Sequence, residues 1–157
     1  MWRNSDENMQ GFISLHDCRA TAMAIHENDL LFTFDDGFWV SFEDERNPFN
    51  NTVRTDKSEV QIVHFDVPDI YIFKELRIFR RLVSTKRICL SVEQLMANIN
   101  CGKWELEFIY EYHSDRGVLY QCWIWMNHAP FHIECQIALD CDKTVYHWNN
   151  LCENKPW

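Results

Sequence analysis

The sequence predicts an α+β protein, mainly β, with antiparallel meanders near each end and one capped helix at about residues 91–101. Three observations lead there. Apolar and polar residues alternate over 21–42 and again over 104–139, the period of strands with one buried face. Turn signals such as Asn28-Asp29 and Asp36-Gly37 punctuate the first stretch. The segment SVEQLMANINCG carries helical spacing, a cap and a glycine stop. At 157 residues the chain can bury a sizeable core, and four glycines and four prolines exclude a collagen-like or low-complexity class.

Residues 1–10 read as a loose polar tail, and 11–157 as a single domain. The first meander runs through CRATAMAIH, LLFTF and FWVSF. Pairing Ile25 with Leu30 sets Met23 opposite Phe32 and Thr21 opposite Phe34. A three-residue turn at Asp35-Asp36-Gly37, with Gly37 left-handed, then sets Phe34 opposite Phe38 and Phe32 opposite Val40. One face becomes almost wholly apolar, and such agreement is what fixes register. Residues 43–58 are polar, contain Pro48 and Asn50-Asn51, and read as the longest loop. A strand follows over 59–66. Residues 69–83 suit either a helix or a strand; β-branched enrichment favours a strand, with a turn at Ser84-Thr85-Lys86.

Ser91 is the predicted N-cap, and Gln94 three residues later completes a capping box. Val92, Leu95, Met96 and Ile99 form the apolar stripe, and Gly102 ends the helix. The second meander comprises KWELEFIYEY, VLYQCWIWM and FHIECQIAL. Pairing Tyr112 with Val118 and Met126 with Phe131 gives an unbroken core face. It carries Trp104, Leu106, Phe108, Tyr110 and Tyr112, then Met126 to Val118, then Phe131 to Leu139. TVYHWNN adds an edge strand.

The same register composes the opposite face, where a site can be displayed. Trp125 falls between Glu105 and His132, and Trp123 between Glu107 and Glu134. Indole faces attract ammonium and guanidinium groups, and flanking carboxylates strengthen the attraction. Trp123, Trp125, Glu105, Glu107, Glu134 and His132 are therefore the candidate binding residues. The competing expectation is that the helix or a loop covers the tryptophans and leaves the glutamates at a rim.

The net charge of −9 disfavours non-specific binding to nucleic acid or anionic membrane surfaces. Lys74, Arg77, Arg80, Arg81, Lys86 and Arg87 run against that trend and read as a solvated face. No run approaches the ~20 apolar residues that span a bilayer, and the polar N-terminus has no signal-peptide pattern. Seven cysteines, an odd number without CxxC, suit free thiols in a reducing cytoplasm.

Chemical constellations are sparse. His128, His132, Glu134, Cys135 and Cys141 lie near one hairpin, but the alternation sends Cys135 away from His132 and Glu134, and tetrahedral zinc needs four convergent ligands. His16-Asp17-Cys18 resembles a thiol nucleophile with a base, yet reads more simply as the start of a strand. So few glycines leave no phosphate-cradling loop, and neither GxSxG nor HExxH occurs. No metal and no cofactor are expected, and a non-enzymatic role is favoured.

The block LHDCRATAMAIHENDLLFTFDDGFWV, with its Leu-His-Asp-Cys opening, resembles the start of a family of small, uncharacterised β-rich Firmicutes proteins. INCGKWELEFIYEY, HIECQIAL and the ending from Tyr146 to Asn149 resemble the second half of the same proteins. The blocks cover about half the chain. The resemblance implies no activity. In style such proteins are similar to immunity proteins of bacterial toxin systems, and function does not follow from fold.

Charge, the Trp/Glu face and the lack of catalytic motifs together lead to one expectation: an acidic cytoplasmic inhibitor that neutralises a basic protein partner. One alternative is a small-ligand protein or enzyme with a pocket lined by His132, Glu134, Glu105 and Glu107. Another is a homo-oligomeric assembly protein that uses an edge strand or the basic 74–87 segment. The oligomeric state itself is not legible.

Overall fold

The computed structural model describes residues 1–156. The N-terminal third holds β1 (Asn4–Asp6), β2 (Ile13–Ser14), β3 (Cys18–Ala20), β4 (Ala22–His26), β5 (Asp29–Phe34) and β6 (Trp39–Val40). Then come β7 (Val53–Thr55), β8 (Ser58–Val63), β9 (Asp69–Ile78), β10 (Arg81–Leu90) and the helix α1 (Val92–Asn100). The remainder is β11 (Trp104–Ser114), β12 (Gly117–Met126), β13 (His132–Asp140), β14 (Lys143–Trp148) and β15 (Leu151–Pro156). The fold is mainly antiparallel β with one helix among the described residues, the predicted class.

The described strands form three sheets. Their orders are β1-β14-β8-β5-β4, β10-β9-β13-β12-β11-β3 and β15-β7-β6-β2. One buried cluster joins them. Its centre is aromatic, because alternating strands from different sheets deliver large side chains to one space. Phe32 of β5 meets Phe108 of β11 edge-on at 5.3 Å, and Phe108 meets Tyr120 at 5.0 Å. Phe38 stands edge-on to Tyr146 and Trp148. Each such pair adds about 0.5–1.5 kcal/mol beyond its burial.

The first hairpin has the predicted register, with Ile25 opposite Leu30 and Met23 opposite Phe32. The meander does not continue as expected. Gly37 is left-handed (φ 73°), but β6 leaves the sheet and pairs with β2 and β7. A Cβ at Gly37 would overlap the carbonyl and hydroxyl oxygens of Thr55. Phe38 N–H donates to Thr55 Oγ1, and Thr55 N–H donates to the Phe38 carbonyl. These bonds turn the corner and drop Phe38 into the core.

Four further expectations are corrected. Residues 4–6 are not a loose tail but pair with β14, helped by Ser5 Oγ against His147 Nδ1 at 2.7 Å. The 43–58 segment is not one loop: β7 lies within it, and Asn47 fastens the rest. The buried Asn47 amide donates to the carbonyls of Val40, Ser41 and Asn51 at 3.1 Å each. Residues 69–78 form a strand as favoured, but the hairpin turns at Phe79-Arg80, both left-handed, and not at Ser84-Thr85-Lys86. The TVYHWNN strand, β14, lies inside its sheet between β1 and β8, and buries Tyr146 and Trp148.

The helix is capped as predicted. Ser91 Oγ accepts from Gln94 N–H, and Gln94 Oε1 accepts from Ser91 N–H. Leu95 and Ile99 are buried, Val92 and Met96 pack against the core, and Gly102 is left-handed just past the C-cap. Asn100 locks the C-terminal end to β4, its amide exchanging two 2.8 Å bonds with the Met23 backbone.

The second meander follows the predicted register for Trp104–Met126, Leu106–Ile124 and Phe108–Cys122. A bulge then intervenes between Phe108 and Tyr110, so Tyr112 pairs with Leu119 and not with Val118. Every later residue of β11 changes face. Tyr110 and Tyr112, expected in the core, are exposed, and Glu111 turns inward to accept a hydrogen bond from the Tyr146 hydroxyl. Phe131, also expected in the core, is exposed, because it is left-handed in the turn before β13.

Candidate binding face

The outer face of the six-stranded sheet carries the candidate residues. The β12–β13 register is the predicted one: Trp125 lies opposite Glu105 and His132, and Trp123 opposite Glu107 and Glu134. All six candidates therefore share one surface. The helix lies against β4 and β11, with Leu95 and Ile99 in the core. Trp123 and Trp125 are half-buried, and His132 is exposed.

Strand β3 brings a residue that sequence reasoning missed. Arg19 pairs across from Glu107 on the edge of the sheet. Its Nε donates to Glu107 Oε1 at 3.2 Å, and its Nη1 to Glu105 Oε2 at 3.0 Å. The guanidinium lies 4.7 Å from the Trp125 ring centre. Trp125 Nε1–H donates to Glu107 Oε2. The two carboxylates raise the Arg19 pKa above its ordinary value, against the opposing effect of desolvation. A cation thus occupies the Trp125 half of the face, and the chain itself supplies it. Arginine at an alternating position of a short strand was the available signal; the pairing of β3 with β11 was not legible.

The Trp123 half is built differently. Trp123 meets His132 edge-on at 4.8 Å, and His132 is tilted against Trp125 at 5.1 Å. Phe73 of β9 lies opposite Glu134 and flanks the row. Glu134 Oε1 accepts from Gln121 Nε2 at 3.3 Å and has no cationic partner among the described residues. A cleft of about 1370 Å³ opens alongside, lined by Trp123, His132 and Glu134 together with Phe73, Lys74 and His128. Glu105 and Glu107 do not line it, so the expected four-residue pocket is split by Arg19 and Trp125.

The other constellations separate. Cys18 is fully buried, and burial pushes its thiol up to about 12, against the lowering effect of Arg54. Its sulfur faces the backbone carbonyls of Ser14 and His16. His16 Nδ1 donates instead to the Ile109 carbonyl at 2.7 Å, and Nε2 lies 3.5 Å from Asp17 Oδ2. The triplet therefore brings no base to its thiol. Cys122 and Cys135 are neighbours across strands, both buried, and all seven cysteines are free. Among the described residues no three His, Cys, Asp or Glu side chains converge as a metal would need, and no helix is long and apolar enough to cross a membrane. No protein-family model, curated protein or solved structure matches the chain.

Proposed function

We propose that this chain is a non-enzymatic binding protein, an acidic inhibitor of the immunity type. It would act in the cytoplasm and neutralise a basic protein by docking it on the outer face of the six-stranded sheet. One observation carries the reading: the chain holds its own Arg19 against Trp125 between two carboxylates, and the adjoining Trp123–Glu134 pair offers the same chemistry outward. An arginine or lysine from a partner, laid on Trp123 and reaching Glu134, would repeat the internal contact. Phe73 and His132 would flank it. Tryptophan is the residue most enriched at interface hot spots, and the −9 net charge would steer a basic partner inward and lose effect with salt.

The test is retention on immobilised protein at low and high salt, beside titration calorimetry with a defined arginine-rich peptide. Wild type runs against Trp123→Ala and Glu134→Gln, each checked for an unchanged melting temperature. Binding of the peptide that salt weakens and both variants lose supports the reading. Equal binding by wild type and the two folded variants refutes it.

A further inference from the structure

The β9–β10 hairpin leaves the sheet. Strand β13 pairs with β9 only as far as Phe73, while β9 and β10 stay paired to Ile78 and Arg81. The last five residues of β9 therefore run about 16 Å past the last residue paired with β13, at about 3.3 Å per residue. Residues 74–87 carry six basic side chains against one acidic, a charge of +5. The rest of the chain has 9 basic against 23 acidic residues, a charge of −14. The arm also exposes Leu76, Ile78, Leu82 and Val83, with Phe79 at the tip 96% exposed. An isolated two-stranded hairpin is marginal in water, so an arm this apolar gains from a surface to lie on.

A surface of opposite character lies at the far end of the same sheet. Asp66, Asp69 and Asp140 line a cleft of about 570 Å³ together with Val67, Tyr112 and Leu119. Val67 is 87% exposed, and Tyr112 and Leu119 are also exposed. Asp69 opens β9, and Phe79 follows its last residue, so about 30 Å of extended strand separates cleft from tip. The arm cannot fold back onto its own cleft, whereas the arm of another copy can reach it.

We infer that the basic, apolar arm of one copy docks in the Asp66–Asp69–Asp140 cleft of a second copy, so that the chain self-associates through unlike surfaces. Both halves of the contact are carried by each chain. Such a heterologous contact closes into a ring or extends, according to the rotation between copies. It leaves the Trp123–Glu134 pair outside the cleft.

Light scattering over a concentration series at low and high salt reads the mass. Wild type should exceed the 19.0 kDa of one chain, with a dissociation constant at least about tenfold weaker at high salt, where screening is nearly complete beyond a few ångströms. Arg80→Glu/Arg81→Glu and, separately, Asp66→Lys/Asp69→Lys should each be monomeric with wild-type melting curves. Mixing the two variants should restore a dimer, because one intact arm then meets one intact cleft. A wild-type monomer at every concentration overturns the inference, as do variants that associate like wild type or a mixture that stays monomeric. Sedimentation of a monomeric wild type with phosphatidylserine vesicles would overturn it too, and assign the arm to a lipid surface.

Discussion

Raising the pH above about 9 should destabilise this protein, and its buried thiols are a main cause. Cys18, Cys122 and Cys135 are buried, and burial raises each above its ordinary value of 9.0, Cys18 and Cys135 to about 12. In the unfolded chain the same thiols ionise near 9. Above that pH the unfolded state holds fewer protons than the folded one, so stability is complete below pH 9 and falls as pH rises towards the folded values. Cys18 and Cys135 each then shift the balance by about 1 kcal/mol at pH 10 and about 3 kcal/mol at pH 11. Cys122, raised by the same burial, adds to the loss in the same direction. Buried Tyr120 and Tyr146, also raised by burial, add to the loss above their ordinary value of 10.0. Against a typical stability of about 5–15 kcal/mol, a loss of a few kcal/mol above about pH 10 is a large fraction of what holds the fold. Urea titrations read by tryptophan fluorescence at pH 8, 9, 10 and 10.5 measure the slope. Cys122→Ala/Cys135→Ala should be less stable at pH 8 but lose less on the way to pH 10.5. At pH 8 a chromogenic disulfide reagent should modify exposed Cys89 and Cys101 first, half-buried Cys141 and Cys152 more slowly, and the other three only on unfolding. Equal stability at pH 8 and 10.5, or rapid modification of Cys18 in the native protein, would refute the burial argument.

Two other outcomes test particular contacts. Trp125→Phe keeps a ring under Arg19 but removes the donor to Glu107, whose side chain is 12% exposed; it should cost about 1.5–3 kcal/mol, since the acceptor is charged. That is a fall of roughly 3–10 °C in melting temperature for a chain of this size, whereas Trp123→Phe should change it little. Asn47→Ala strands three backbone carbonyls at the base of the 41–52 segment. It should cost about 2–4 kcal/mol and make that segment the first site cut in limited proteolysis.

Local patterns in the sequence carried the parts of the fold that depend on neighbours in the chain. The capping box at Ser91 and Gln94, the Ile25–Leu30 hairpin and the Trp123–Glu134 pairing all follow from period, turn chemistry and caps. What escaped was decided by distant partners. Gly37 reads as a hairpin turn, and only the Thr55 hydroxyl and carbonyl, eighteen residues on, make it a corner between sheets. Residues 4–6 are too polar and short to announce a strand; β14 recruits them by its open edge. The candidate site was legible as a face but not as an occupied one, because Arg19 belongs to a three-residue strand whose partner is eighty-eight residues away.

The bulge in β11 has a similar distant cause, and it shapes the surface. A bulged residue leaves its backbone groups without ladder partners. Here the Ile109 carbonyl accepts from His16 Nδ1, and the Phe108 carbonyl accepts from Asp17 N–H at 2.8 Å. The segment that holds the bulge is itself held: Trp39 Nε1–H donates to the His16 carbonyl and Arg54 to the Asp17 carbonyl, both at 2.9 Å, from the neighbouring sheet. The His16-Asp17-Cys18 triplet is therefore a clamp between sheets, with its thiol in the core and its imidazole on the bulge. The consequence lies on the outer face. Perfect alternation would have buried Tyr110 and Tyr112 and displayed Glu111. The shift by one residue turns the tyrosines outward, and Tyr112 lines the acidic cleft beside Leu119. The same shift takes the Glu111 carboxylate inward to the Tyr146 hydroxyl. One unpaired residue thus divides the face into a Trp/Glu half that follows the sequence's alternation and a Tyr half that breaks it. The two surfaces proposed to dock a basic partner and the arm of another copy lie on opposite sides of that division.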